Sequence, residues 1–223
     1  MSTAILPGVA SAFPFPELWT LADLQQRLGG IPVSRIRLTP LPGTAAEADL
    51  LRLAERDKKL CELIDGVLVE KTAGSYESAI TLVLVQLMAP YLAQHPLGVL
   101  LGADGMLRLM PNRIRIPDVS FLKWDRFPNR RLPKGRVWSL SPDLAVEVLS
   151  DSNAKREIDL KLDEYFQTGT LLAWIIDPER RTASLYRSRT DVVVIDENGL
   201  LDGGEVLPGF TLRLGELLDF LPR

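Results

Sequence analysis

A strand, a helix and a second strand follow one another between residues 144 and 177, and this succession leaves the chain few ways to fold. Leu144-Ala145-Val146-Glu147-Val148-Leu149-Ser150 is an apolar run of strand length interrupted by a single glutamate. Residues 155–167 carry apolar side chains at Ile158, Leu162, Tyr165 and Phe166, the spacing of one helix face, and Gly169 is the stop signal. The next apolar run is Leu171 to Asp177. Two strands joined through a helix of this length run parallel with a right-handed crossover. Ala183–Tyr186, Asp191–Ile195 and the segment Gly209–Phe220 then read as an antiparallel extension ending in a short helix. The fold class is α/β (α+β).

Upstream, Thr20 is placed to cap a helix over Leu21–Leu28 that Gly29-Gly30 ends, and Pro32 to Gly43 reads as an extended connector. Thr44, with Glu47 three residues on, predicts a capped helix over Ala45–Arg56. Asp65-Gly66 between Cys61–Ile64 and Val67–Glu70 predicts a hairpin with a tight turn. Ser75 to Gln94 is too long for a strand and predicts a buried helix, which Pro90 should kink or end. Val99–Leu101, Met106–Met110 and Ile114–Lys123 read as strands, and Phe127 to Val137 as a loop with two prolines. Residues 1–16 are expected to be a disordered leader, and residues 17–223 one domain, with no internal repeat.

Several functions are excluded early. One cysteine, Cys61, permits no intrachain disulfide, and one histidine, His95, permits no histidine-rich zinc site. The first sixteen residues lack the basic start of a secretory signal. The apolar stretch Ala79–Ala93, broken by Gln86 and Pro90, falls short of the roughly 20 residues a membrane span needs. A cytoplasmic protein of a reducing compartment, without a membrane partner, is expected. The net charge of −3 does not announce a nucleic-acid binder. The charge is uneven, however. Arg113, Arg115, Lys123, Arg126, Arg130, Arg131, Lys134 and Arg136 stand against only Asp118 and Asp125. Such a patch suits a polyanion, and equally a solvated loop.

Two acidic residues interrupt apolar runs: Asp118 in Ile116-Pro117-Asp118-Val119-Ser120-Phe121, and Glu147. A buried carboxylate is costly unless it is paired, hydrogen-bonded or metal-bound. Magnesium takes hard oxygen ligands, commonly one or two carboxylates, and activates a water for attack on a phosphodiester. Lys161, at the edge of the helix's apolar stripe, is positioned to reach inward and stabilise the charge that builds there. Glu62, pointing the same way as Ile64 on the hairpin, is a further acidic candidate. On residue types alone a structural assignment stays open: Asp118 capping a turn, Glu147 paired with a buried arginine, Lys161 snorkelling and Glu62 guarding a sheet edge.

In these blocks the chain resembles the Uma-two family of restriction-type endonucleases within the PD-(D/E)XK nuclease superfamily. The resemblance rests on Cys61-Glu62-Leu63-Ile64-Asp65-Gly66-Val67-Leu68-Val69-Glu70-Lys71, Arg115 to Phe121, Pro142 to Ser150, and Lys161 followed by Tyr165, Gly169 and Trp174-Ile175-Ile176-Asp177-Pro178. It covers roughly residues 45–215. It implies a restriction-endonuclease-like core, a mixed central sheet flanked by helices. It further implies a Mg²⁺ (or Mn²⁺) site on Asp118 and Glu147, with Lys161 as the active-site lysine and Glu62 as an added acidic member. The superfamily's Glu-x-Lys would place lysine at 149, where this chain has Leu149; the family carries the lysine on the following helix, with Lys155 as the fallback. A histidine common at the start of the family's long helix is absent, and Glu77 stands in that region. The expected function is a metal-dependent endonuclease acting on DNA, with RNA not excluded, its backbone grip being Lys123, Arg126, Arg130, Arg131, Lys134 and Arg136. A symmetric homodimer would supply two sites for two strands. The alternative is a catalytically silent relative that binds nucleic acid or a protein partner.

Overall fold

The computed structural model of the chain describes residues 19–72, 74–150 and 152–220; the leader expected over residues 1–16 lies outside them. Helix α1 (Leu21–Arg27) starts at Thr20, whose side chain accepts from the Asp23 N–H while the Asp23 carboxylate accepts from the Thr20 N–H. Helix α2 (Glu47–Arg56) begins two residues later than Thr44 suggests. The Thr44 hydroxyl donates back to Leu41 O, and Asp49 instead takes the Ala46 N–H. Strands β1 (Cys61–Ile64) and β2 (Val67–Glu70) form the expected hairpin. Asp65 and Gly66 both have positive φ, 49° and 76°, which matches the twist of the flanking strands. A Cβ on Gly66 would also lie 2.5 Å from the backbone of Gly43.

Helix α3 (Ser75–Gln94) continues past Pro90, so the proline does not end it. Ile80, Val83, Leu84 and Met88 bury one face of it, and Tyr91 and Leu92 pack beyond the proline, so packing on both sides outweighs one missing N–H. By length and composition alone this helix is apolar enough to cross a bilayer, contrary to the sequence reading. Here it covers a sheet.

The remaining strands are β3 (Gly98–Leu101), β4 (Met106–Met110), β5 (Arg113–Arg115), β6 (Val119–Lys123), β7 (Val137–Trp138) and β8 (Leu144–Val148). Helix α4 (Lys155–Gln167) leads to β9 (Leu172–Asp177), β10 (Thr182–Tyr186), β11 (Val192–Ile195), β12 (Leu200–Asp202), β13 (Thr211–Arg213) and helix α5 (Leu214–Asp219). Among the described residues they make a six-stranded sheet ordered β11-β10-β9-β8-β6-β3, a five-stranded sheet ordered β2-β1-β5-β4-β7, and the pair β12-β13. The β8–α4–β9 unit is parallel as expected, and β10 and β11 extend it antiparallel.

The run Ile114–Lys123, read as one strand, is two. Its first part, β5, belongs to the five-stranded sheet, and its second part, β6, to the six-stranded one. The chain changes sheets at Ile116-Pro117-Asp118. A proline has no N–H for a ladder, so it suits a crossing between sheets.

Each sheet has a dry face. Leu144, Val146 and Val148 of β8, with Leu172, Trp174 and Ile176 of β9, pack under α3 and α5. Cys61, Leu63 and Leu68 of the hairpin pack on α2, while Ile64, Val67 and Val69 pack on α1. By the alternation of a strand, Glu147 points away from the core under α3, and Glu62 lies on the Ile64 side of its own sheet; both carboxylates meet Lys161 of α4.

Candidate active site

The crossing between the sheets fixes Asp118. The Val148 N–H, at the end of β8, donates to its Oδ2 at 2.7 Å. Its Oδ1 lies 3.0 Å from Nζ of Lys71, the residue that follows β2. Lys71 also donates to Ile116 O at 2.5 Å, so one ammonium ties the crossing segment to the carboxylate it carries.

Glu147 lies on the neighbouring strand, one residue before Val148. Lys161 Nζ donates to its Oε2 at 2.8 Å and the Tyr165 hydroxyl to its Oε1 at 2.5 Å. Lys161 and Tyr165 are one helical turn apart on α4, so a single helix face addresses both oxygens. Lys161 Nζ is also 3.8 Å from Oε1 of Glu62. Glu62 accepts from Arg115 Nη1 at 2.7 Å and from the Ile116 N–H at 3.0 Å. Arg115 in turn forks onto Glu164 of α4, at 2.6 and 2.8 Å. The structure thus brings Glu62, Asp118, Glu147 and Lys161 together in one buried cluster, from both sheets and from α4. Lys155 stays outside it, 90% exposed and paired with Asp159.

These contacts set the charges. Burial pushes the Glu62 carboxyl up, but Lys161, Arg115 and the Ile116 N–H together hold it down at about 2. Burial raises Glu147, and the charges of Asp118 and Glu62 add to that rise against the pull of Lys161 and Lys71. Burial opposes the charge on Lys161, yet Glu147, Glu62 and Glu157 lift it above its ordinary value. Lys161 therefore keeps its proton at neutral pH, as a source of positive charge rather than a base. Burial, with Glu147 and Glu62 beside it, puts the Tyr165 hydroxyl well above its usual value, so it remains a donor.

A carboxylate at the crossing and another on β8, the second raised by burial and further by the charge of the first, are a donor set that a small divalent cation relieves. The residues present fit such an ion: hard oxygens, a fixed backbone and buried partners. Asp118 and Glu147 are nevertheless secluded, their side chains 13% and 5% exposed. No group of three or more metal-capable side chains occurs among the described residues.

The basic segment lies elsewhere. Asp118 precedes β6 and the loop follows it, so the strand's length, roughly 17 Å, separates them. Its apparent charge is also largely spent. Arg113 and Arg115 are inside, on Asp65, Glu164 and Glu62. Arg126 forks onto Asp143 and reaches Gly169 O, Lys123 Nζ donates to Glu205 O, and Arg136 pairs with Glu55. Arg130, Arg131 and Lys134 are exposed.

Residue order alone assigns no role to Lys71 or Tyr165. Tyr165 reads as part of an apolar stripe, and Lys71 as the end of a hairpin. The periodicity places both correctly; only the fold supplies their partners, 18 and 47 residues away in the chain for Glu147 and Asp118.

A model of the Uma2 family, described as "Putative restriction endonuclease", matches residues 47–215, which include the whole cluster. Among solved structures, the chain is similar to a protein of Anabaena variabilis ATCC 29413 described as a putative nuclease belonging to DUF820. The two are 21% identical over 78% of this chain and 97% of that one, with a TM-score of 0.66. No curated protein matches the sequence. The likeness carries the fold: a mixed α+β core with helices flanking the sheet, as the resemblance implied.

Proposed function

The chain belongs to the Uma2 family, and from that premise and the geometry of the cluster we propose that it is a metal-dependent endonuclease that hydrolyses phosphodiester bonds in DNA. One observation carries the proposal. Paired strands β6 and β8 set Asp118 beside Glu147, with Asp118 locked on the Val148 N–H and Glu147 on Lys161.

Asp118 and Glu147 are the residues that would hold Mg²⁺ or Mn²⁺, and the bound ion supplies an activated water and neutralises phosphoryl charge. Tyr165 and Lys161 fix the rotamer of Glu147 by occupying both oxygens. A carboxylate oxygen accepts more than one bond, so these contacts leave it able to act as a ligand. Lys161, protonated, stabilises negative charge on the phosphoryl oxygens. Glu62 holds that ammonium from the other sheet and, through the Ile116 N–H, braces the segment that carries Asp118. Arg130, Arg131 and Lys134 grip backbone phosphates away from the scissile one, while Lys123, Arg126 and Arg136 brace the loop. Two copies in a symmetric dimer give one centre per strand.

The test is cleavage of plasmid, single-stranded DNA and RNA with Mg²⁺ or Mn²⁺, wild type beside Glu147→Ala. Metal-dependent nicking of DNA that is lost in the variant is expected; cleavage retained by a clean variant preparation overturns the assignment. Sedimentation of the same preparations reads the dimer.

A second reading has its own observation. Every oxygen of Asp118 and Glu147 already has a donor, and both side chains are secluded. A silent nuclease-fold protein that binds nucleic acid or a protein partner fits that closure, and it predicts no cleavage by either preparation. Reversing Arg130, Arg131 and Lys134 to Glu then separates the partners, because a phosphate grip is lost with them and its salt dependence falls.

A further inference from the structure

Lys71 is an unusual lysine. It is the first residue after β2, and a lysine side chain normally extends into water, yet this one is only 8% exposed. Its N–H is fixed to Leu60 O, and its Nζ is turned inward onto Ile116 O and Asp118 Oδ1. Removing an ammonium from water is costly, so a buried one needs close acceptors. The acceptor it uses matters. Oδ2 of Asp118 is taken by the Val148 N–H, which leaves Oδ1 as the less constrained oxygen for a metal ion, and Lys71 covers it. Its charge also reaches Glu147, the other carboxylate of the pair.

We propose that Lys71 gates the metal site: its ammonium holds Asp118 in place of a divalent cation, and gives up Oδ1 when that cation arrives together with a phosphodiester. The proposal rests on the metal-dependent reading above and adds a residue to it. Like charges a few ångströms apart repel strongly in a partly buried site, so a lysine and a divalent ion do not share Oδ1 at equal strength. An anion relieves that conflict, because the displaced ammonium, anchored close by through its backbone, can pair with a phosphate oxygen. Lys71 is thus a positioning residue in the free protein and a phosphate contact in the loaded one. Metal and nucleic acid then bind better together than either does alone.

A residue that only braced Asp118 would make the opposite prediction. Removing a brace weakens metal binding, whereas removing a competing charge strengthens it. The experiment is Mn²⁺ binding to the whole protein without nucleic acid, followed by the loss of the free-ion electron paramagnetic resonance signal. Wild type is compared with Lys71→Met, Lys71→Gln, Lys71→Arg and Glu147→Ala, each checked for fold by circular dichroism. Lys71→Met and Lys71→Gln are expected to bind Mn²⁺ on the order of tenfold more tightly, and Lys71→Arg, which keeps the charge, to stay near wild type. Adding a short single-stranded oligonucleotide is expected to tighten Mn²⁺ binding by wild type more than by the two neutral variants, which lack the ammonium that couples the two. Equal or weaker Mn²⁺ binding by the folded neutral variants overturns the gate. If that happens while Glu147→Ala abolishes binding, only the role of Lys71 fails. If no preparation binds Mn²⁺, or Glu147→Ala binds it like wild type, the metal site fails and takes the gate with it.

Discussion

The two faces of β8 are a single residue apart in sequence and opposite in chemistry. Towards α3 the strand presents Leu144, Val146 and Val148, packed in an apolar cluster with Leu84, Met88 and Trp174. Towards α4 it presents Glu147, held by Lys161 and Tyr165 and within reach of the charges of Asp118, Lys71 and Glu62. The first face is where burial of apolar surface stabilises the fold, at roughly 25 cal/mol per Å². The second buries charges whose desolvation offsets much of what their pairing returns. One strand therefore separates stability from chemistry by its pleat alone, and substitutions on the two faces should fail in different ways.

The sharpest way to break that separation is Glu147→Ala, which should lower cleavage about a thousandfold or more, as loss of several kcal/mol of metal-assisted stabilisation implies. Its denaturation midpoint should change far less; a collapse of the fold instead would mean that Glu147 is structural. Next is Arg115→Met, which removes the buried guanidinium that Glu62 and Glu164 share and leaves only Lys161 near the first and Arg113 on the second. It should cost about 3–5 kcal/mol by urea unfolding, and adding Glu164→Gln and Glu62→Gln should recover part of that loss. On the dry face, Leu84→Ala should cost about 2–5 kcal/mol while leaving the cleavage rate per folded molecule unchanged. A change in rate at saturating substrate would show that the two faces are coupled.

The smallest effect is on pH. Glu62 sits at about 2 when folded against its usual 4.5. Its contribution to stability is therefore complete above pH 4.5 and is lost as the pH falls through 2. Unfolding free energies of wild type and Glu62→Gln should differ most near neutrality and converge towards pH 2. Glu147, raised by burial, works in the opposite sense: what it contributes is present below pH 4.5 and is lost as the pH rises through its folded value. Parallel curves for wild type and Glu62→Gln would remove Glu62 from the network of charges.

Much of this was readable from residue order. The Asp65-Gly66 turn, the twenty-residue helix, the β8–α4–β9 unit and the family blocks follow from local spacing, which the chain carries explicitly. The split of Ile114–Lys123 between two sheets does not, because a β-branched run reads the same whether it ends in one ladder or leaves it for another. Buried arginines mislead for a related reason. Arg113, Arg115 and Arg126 count as a basic surface in one dimension, and only the fold shows Glu164, Glu62 and Asp143 across from them. Lys71 escaped because its partner Asp118 comes 47 positions later, and no periodicity links an ammonium to a carboxylate on a different strand.

The crossing at Ile116-Pro117-Asp118 has a consequence for the life of the molecule in a cell. Glu62 comes from one sheet, Glu147 from the other, and Asp118 from the joint between them. A ribosome releases β1 long before β8, and a protease that removes either sheet leaves an incomplete set of carboxylates. On the function proposed, an unfinished or damaged copy holds no cutting centre. Whatever substrate that centre acts on is then exposed to it only once both sheets have formed and met.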